Sequence, residues 1–279
     1  PQVSSNTSYG GSIAPCPLNT LVVPPFHAGS EHCARAQPRE AHFDPRCAAD
    51  SISESIGGTP THPRLNQALR VRRKRLELPV GWYCDKRSQL LIYGDVGPSA
   101  ASQKVASFDF DKTLVMETGR EREDADPLRI TPRFSNTFDK LRDLHAQGYK
   151  IVVFTNESIY GKKTVRAVTE QLQRKMLRLE RFIEQCGGTA TVLVAIRGTK
   201  YLPSPYRKPN PGMWRYHAAC CNAGVPVDPT SSFYVGDAAG RPTDFSNCDA
   251  RFAKKAGVSF FTETEYFSDG SDTDSVTSW

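Results

Sequence analysis

The sequence has no apolar run long enough to cross a membrane, and no signal peptide is visible at its start. Its eight cysteines are scattered and form no Cys-x-x-Cys pair. Such a pattern is typical of reduced thiols inside a cell and argues against a disulfide framework. We therefore expect a protein without a membrane partner and without structural disulfides.

The composition is polar and basic. The chain has 279 residues, of which 38% are hydrophobic, and its formal net charge is +6. That length allows one large domain or two small ones. A mean hydropathy of −0.48 is low for a wholly compact chain, so we expect part of it to be unpacked. The positive charge fits an anionic partner.

Two terminal segments are predicted to be disordered. Residues 1–78 are rich in Pro, Ser, Gly, Ala and Arg and show no sustained periodicity, and residues 268–279 form an acidic tail. The run Arg70–Arg75 carries five positive charges and indicates a nuclear-import signal, an anion-binding arm or a solvated helix end. It favours the nucleus, with the mitochondrion left open. The acidic tail is expected to attract protein partners.

Six residues of the N-terminal segment are potential zinc ligands. They are Cys16, His27, His32, Cys33, His42 and Cys47. Their spacing matches no regular zinc motif. Whether this segment binds zinc or DNA stays open.

Residues 79–267 alternate between strand and helix patterns. A predicted β-hairpin at 82–84 and 90–93 precedes the first long unit. Buried strands are predicted at 105–110, 150–155, 191–196, 232–236 and 258–261, with helical patterns between them. This order predicts an α/β fold: a three-layer, Rossmann-like parallel sheet with an N-terminal β-hairpin.

Two carboxylates, Asp109 and Asp111, follow the first buried strand in the run Ser107-Phe-Asp-Phe-Asp-Lys-Thr-Leu114. Open α/β sheets bind ligands just beyond the carboxyl ends of their strands. Because residues i and i+2 of a strand face the same way, we expect both carboxylates to reach one point. Adjacent acids repel each other unless a cation or a shared proton is present. The pattern indicates a Mg²⁺ site, an acid/base pair or both, with a solvated turn as the alternative.

Three later strand ends also carry polar residues. The second ends in Thr155-Asn156, the third is followed by Tyr206-Arg-Lys-Pro209, and the fourth ends in Gly236-Asp237. A hydroxyl, a lysine and three carboxylates are what a phosphoryl-transfer site needs. Carboxylates hold Mg²⁺, Lys and Thr stabilise phosphate oxygens, and one Asp can attack phosphorus.

The order Asp-x-Asp-x-Thr, Thr, Lys and Asp resembles that of the haloacid dehalogenase superfamily of phosphatases. One departure is Lys112, where that superfamily more often has Gly. Within it, three runs resemble the phosphatase domain of the polynucleotide kinase 3′-phosphatase family. They are Arg207-Lys-Pro209, Gly212-Met-Trp214 and Gly236-Asp-Ala-Ala-Gly-Arg241. The resemblance covers residues 79–267.

The resemblance implies a role for each matching residue. Asp109 would be the nucleophile, and Asp111 would protonate the leaving sugar oxygen and then activate water. The implied catalytic residues are Asp109, Asp111, Thr155 and Lys208. The implied substrate-binding residues are Asn156, Lys162, Lys163, Arg207 and Arg241. Mg²⁺ would be held by Asp109, Asp237 and the main-chain carbonyl of Asp111. Whether Asp244 or Asp249 supports Lys208 or the metal stays open.

The substrate is expected to be the end of a polymer. The interval between the strands that precede Asp109 and Thr155 leaves no space for a cap domain, so we expect an uncapped crevice. Gly161-Lys-Lys-Thr164 lacks the glycine that a P-loop requires five residues earlier. The resemblance therefore implies a stand-alone DNA 3′-phosphatase without a kinase domain.

Such an enzyme would act at nicks, gaps and breaks in DNA repair, and we expect a monomer. One alternative is a phosphatase for a small phosphate ester or a phosphoprotein. A second alternative is a non-catalytic module that binds DNA ends.

Overall fold

The computed structural model describes one mixed seven-stranded sheet with helices on both faces. The described residues are 20–22, 75–85, 89–116, 128–197 and 204–268. The acidic tail beyond Ser268, the six potential zinc ligands and most of the basic run therefore lie outside the described residues. No helix among the described residues is long and apolar enough to span a bilayer.

Five strands of the sheet run parallel. They are β5 (Val105–Phe108), β6 (Lys150–Ser158), β7 (Ala190–Arg197), β8 (Phe233–Gly236) and β9 (Ser259–Thr262). Their spatial order is β7-β6-β5-β8-β9, with β5 in the middle between β6 and β8. All four neighbouring pairs are parallel. The carboxyl ends of these strands consequently meet at one edge, where the strand-end residues were predicted to gather.

The predicted hairpin is confirmed, and it makes the sheet mixed instead of wholly parallel. Strands β3 (Trp82–Cys84) and β4 (Leu90–Tyr93) pair with each other antiparallel. Strand β4 then pairs antiparallel with β7, and Leu90 lies opposite Ala195. A hairpin reverses the chain within a few residues and needs no crossover helix, so one antiparallel edge follows.

Helices cover both faces of the sheet, which confirms the three-layer prediction. They are α1 (Thr137–Ala146), α2 (Val165–Gln185), α3 (Gly212–Cys220), α4 (Cys248–Ala256) and α5 (Glu263–Phe267). Buried residues of α1, α2 and α5 pack in one core cluster. Buried residues of α3 and α4 pack in the other, against β6 residues Val152 and Phe154. The central strands therefore alternate their side chains between two apolar cores.

Helix α2 shows how the sequence pattern sets the packing. The Thr164 side chain caps it by accepting a hydrogen bond from the amide of Ala167 at 3.1 Å. Val168, Leu172 and Leu179 recur at helical spacing and are fully buried. This amphipathic face fixes α2 against the sheet beside β6.

Three short elements were not predicted. Strands β1 (Thr20–Val22) and β2 (Arg75–Glu77) pair antiparallel inside the segment expected to be disordered. Helix α5 is too short to show a period, although Thr262 and Glu265 form the capping box that marks its start. Elements of three to five residues carry too few positions for a periodic pattern to reveal them.

Helix α3 carries one buried polar side chain. Within the described part of the chain, neither ring nitrogen of His217 has a hydrogen-bond partner. Its ring packs against Phe154 and Trp214. Burial, with a smaller contribution from Lys150, lowers the pKa of His217 to about 3. The imidazole is therefore neutral in the folded protein near neutral pH.

Replacing His217 with Met should make the folded state less sensitive to acid. Below the ordinary histidine pKa of about 6.5, the unfolded chain takes up a proton that the folded chain does not. Wild-type stability therefore falls as the pH drops below that value. Between about pH 7 and about pH 5, the variant should gain about 2 kcal/mol relative to the wild type in urea unfolding.

A matched control for this experiment is His145→Gln, because His145 is exposed on α1. The control should follow the wild type at every pH. Equal acid sensitivity of the wild type and His217→Met would contradict the account.

Candidate active site

The carboxyl edge of the parallel strands brings Asp109, Asp237 and Lys208 together, and Thr155 lies on the neighbouring strand β6. Asp109 directly follows β5, and its amide donates to the carbonyl of Val235 in β8 at 2.8 Å. Thr155 lies in the carboxyl-terminal half of β6, and it is buried. Asp237 directly follows β8. Lys208 reaches this edge from the loop before α3 and is buried as well.

Three carboxylates gather at this edge. Asp109, Asp237 and Asp249 each place one oxygen within 4.8 Å of the others. Asp249 comes from the first turn of α4 and accepts a hydrogen bond from the amide of Ala238 at 3.0 Å. The hydroxyl of Thr113, the Thr of the Asp-x-Asp-x-Thr motif, donates to Asp237 at 3.4 Å. We call these three acids the carboxylate cluster.

Lys208 neutralises part of the carboxylate cluster. Its Nζ lies 2.5 Å from Oδ1 of Asp109 and 2.7 Å from Oδ1 of Asp249. The ammonium also donates to the hydroxyl of Tyr234 at 2.7 Å, and that hydroxyl donates to Asp249 at 2.9 Å. Burial alone would lower the pKa of Lys208, but Asp109 and Asp249 outweigh it and raise that pKa. Lys208 is therefore a permanent cation.

One lysine leaves the carboxylate cluster with excess negative charge. Burial, together with Asp249 and Asp237, raises the pKa of Asp109 to about 7 against the opposing effect of Lys208. Burial and then Asp249 raise the pKa of Asp237 to about 6. Crowded, desolvated carboxylates favour a bound cation, and oxygen ligands suit Mg²⁺. The residues present therefore fit the expected magnesium ion.

The structure does not bring Asp111 to the same point as Asp109. Its carboxylate pairs with Lys175 of α2 and lies 3.3 Å from Nη1 of Arg178. The expectation used strand alternation, but β5 ends at Phe108, and Lys112 adopts a φ of 66° in the turn that follows. Burial would raise the pKa of Asp111, yet Lys175 and Arg178 hold it below its usual value.

Sequence reasoning missed Lys175 and Arg178. Both lie on the buried face of α2 among Leu172, Met176 and Leu179. Both cations also lie over the ring of Phe110, and Nζ of Lys175 is 4.9 Å from the ring centroid. A charged residue at a core-facing helical position was the available signal, because such residues are rarely buried without a partner.

The side chain of Asn156 contacts the loop before α3. The Asn156 amide accepts from the main-chain amide of Lys208 at 3.0 Å and donates to its carbonyl at 3.2 Å. It therefore fixes the loop that carries Lys208.

Lys162 and Lys163 are exposed in the turn after β6. Lys112, the position noted above as more often Gly, holds the left-handed conformation that Gly adopts most easily.

Arg241 and Asp244 form an ion pair beside the carboxylate cluster. The guanidinium of Arg241 donates to Asp244 at 2.9 Å, to Glu263 at 3.1 Å and to the carbonyl of Asp237 at 2.9 Å. Asp244 also accepts from the amides of the Ala239–Arg241 turn. The alternatives for the two acids thus separate: Asp249 contacts Lys208, and Asp244 contacts Arg241.

Known proteins match the part of the chain that contains the carboxylate cluster. The family model described as polynucleotide kinase 3 phosphatase matches residues 104–267. Polynucleotide 3′-phosphatase ZDP from Arabidopsis thaliana is 40% identical over 174 residues, which are 60% of this chain and 24% of that protein. The bifunctional polynucleotide phosphatase/kinase of Schizosaccharomyces pombe is 28% identical over 177 residues, 63% of this chain and 40% of that protein.

Further matches include a viral protein and a solved structure. A 20.8 kDa protein of Autographa californica nuclear polyhedrosis virus is 31% identical over 179 residues, 61% of this chain and 89% of that protein. The D,D-heptose 1.7-bisphosphate phosphatase of B. bronchiseptica, crystallised with magnesium and phosphate, aligns with a TM-score of 0.40 and 20% identity. That alignment covers 56% of this chain and 78% of the other.

The alignments with the Arabidopsis and S. pombe relatives cover less than half of each of those proteins. The family model, by contrast, spans more than half of this chain and includes the whole carboxylate cluster and Lys208. The chain belongs to the polynucleotide kinase 3 phosphatase family.

Proposed function

We propose that this chain is a Mg²⁺-dependent polynucleotide 3′-phosphatase that removes the 3′-phosphate from DNA strand breaks during repair. The observation that carries the proposal is the buried ammonium of Lys208 held between Asp109 and Asp249, next to Asp237. This arrangement combines a nucleophile, a fixed cation and a set of oxygen ligands. Family membership and the name of the Arabidopsis relative support the nucleic-acid substrate.

The first half of the reaction forms a bond to Asp109. A carboxylate oxygen of Asp109 attacks phosphorus, and the bond between phosphorus and the 3′-oxygen of the sugar breaks. Lys208 contacts Oδ1 of Asp109 and stabilises the negative charge of the transferring group. The buried hydroxyl of Thr155 donates to a phosphate oxygen. Asp109, Asp237, Asp249 and the carbonyl of Asp111 would hold Mg²⁺, which would supply positive charge to stabilise the transferring group.

Asp111 supplies the proton that the leaving oxygen needs. In the structure its carboxylate is engaged by Lys175 and Arg178, although 38% of the side chain is exposed. A rotation of the Asp111 side chain toward the edge would release it from Lys175 and Arg178. Without these two cations its pKa rises, and the carboxylate can take up from solvent the proton that it then gives to the leaving oxygen. Asp111 then takes a proton from water, whose oxygen attacks the phospho-enzyme, releasing phosphate and free Asp109.

We expect the edge to accept the end of a strand. Between β5 and β6, the described residues contain a single helix, α1, and it packs in the core beneath the sheet. The exposed Lys162 and Lys163 follow the carboxyl end of β6 and offer positive charge to a phosphate backbone. This positive charge favours a polynucleotide end over a small phosphate ester.

Asp109→Asn should abolish phosphate release from a 3′-phosphorylated oligonucleotide and leave the protein folded. The amide cannot act as a nucleophile and is a poor Mg²⁺ ligand, whereas its shape preserves the packing around Lys208. Phosphate release measures the loss, and circular dichroism with thermal melting measures the fold. Appreciable turnover by the folded variant would mean that another residue attacks phosphorus.

Asp249→Asn should raise the Mg²⁺ concentration needed for half-maximal activity by about tenfold or more, because it removes one carboxylate from the cluster. Asp244→Asn is the matched comparison, since Asp244 contacts Arg241 outside the carboxylate cluster. It should lower the melting temperature and leave the Mg²⁺ requirement within about twofold of the wild type. A Mg²⁺ titration with the reverse order would assign the metal-supporting role to Asp244.

A further inference from the structure

Strand β7 ends in an arginine that the proposed chemistry does not use. Leu193 and Ala195 face the core that packs against α3, and Arg197 is the next residue on that face. Arg197 pairs with Ser158 of β6, at the carboxyl edge of the sheet. The loop that carries Arg207 and Lys208 covers this same face. Alternation along β7 therefore directs Arg197 toward Arg207.

The two guanidiniums have few partners. Nη1 of Arg207 donates to the main-chain carbonyl of Glu157 at 3.2 Å. Nε of Arg197 is buried and has no hydrogen-bond partner among the residues that the structure describes. Neither arginine forms an ion pair with a carboxylate in that part of the chain. A buried N–H without an acceptor is costly, so this donor favours a ligand that can accept from it.

The charge around the pair points to an anion. Burial lowers the pKa of Arg207, and the neighbouring guanidinium of Arg197 lowers it further. Glu157 offsets this effect only in part, because its carboxylate accepts from Gln171 and faces Lys175 of α2. Two cations held close together without an ion-paired carboxylate repel each other, and a bound anion relieves that repulsion.

The position of the pair selects which anion. Strand β7 is two strands away from β5, which places the arginines about 10 Å along the edge from Asp109. A nucleic-acid strand carries one phosphate for about every 3.4 Å of helix axis, so a strand ending at Asp109 presents internal phosphates within that distance. Arginine binds phosphate oxygens through two parallel N–H groups.

We propose that Arg197 and Arg207 bind an internucleotide phosphate of the substrate strand and thereby make the enzyme prefer a polynucleotide over a mononucleotide. The proposal rests on the proposed function and adds a second phosphate site to it. Arg197 acts on substrate choice and takes no part in breaking the terminal phosphate bond.

The test compares kcat/KM for a 3′-phosphorylated oligonucleotide with kcat/KM for thymidine 3′-monophosphate. Arg197→Gln should lower the value for the oligonucleotide by about tenfold or more and leave the mononucleotide within about twofold. Arg197→Lys should recover part of the loss, because lysine keeps the positive charge but lacks the two parallel N–H groups of arginine. Arg174→Gln, which removes an exposed charge from α2, is the control and should behave like the wild type.

A neutral linkage in the substrate isolates the contact without relying on a variant that folds. A methylphosphonate in place of each of the last internucleotide phosphates, one at a time, should reduce wild-type kcat/KM at one position. At that position Arg197→Gln should show no further loss, because the interaction is already absent.

The outcomes separate the two proposals. If the wild type releases phosphate from neither substrate, the proposed function fails. If the wild type hydrolyses the oligonucleotide and Arg197→Gln keeps the same substrate ratio, the second phosphate site is overturned while the phosphatase stands. Equal loss on both substrates, or no sensitivity to any neutral linkage, would also overturn it.

Discussion

The ion pair between Lys208 and the two acids Asp109 and Asp249 is the contact on which the candidate site depends. The buried ammonium joins the end of β5, the start of α4 and the loop before α3 through contacts of 2.5 and 2.7 Å. Removing one partner would leave a desolvated charge, which is strongly unfavourable in a protein interior. The contact therefore holds Asp109 in place and ties three separate segments of the chain to one point.

The same contact explains why the site is suited to a metal and to phosphate. One buried cation among three acids leaves negative charge, and the raised pKa values of Asp109 and Asp237 reflect it. A divalent cation would restore the balance of charge. At the end of β7 and in the loop before α3, Arg197 and Arg207 reverse the sign of the charge. The edge of the sheet thus changes from acidic at the carboxylate cluster to basic at these two arginines.

Much of this arrangement was readable from the sequence. Alternating strands and helices predicted the α/β sheet, and the strand-end positions of Asp109 and Asp237 predicted that these two acids would meet. Both predictions follow from local periodicity and parallel pairing. The orientation of Asp111 was not readable, since it depends on where β5 stops and on Lys175 from a distant helix. The choice of Asp249 over Asp244 likewise required the three-dimensional position of α4.

The most direct test of the account identifies the residue that carries phosphate during turnover. The protein would be mixed with a 3′-phosphorylated oligonucleotide and Mg²⁺ and quenched in acid, and the acyl phosphate would be reduced with borohydride before peptide mass spectrometry. Reduction converts an aspartyl phosphate to homoserine. The account predicts homoserine at position 109, and its absence from the Asp109→Asn variant. Homoserine at position 111, 237 or 249, or at none of them during active turnover, would contradict it.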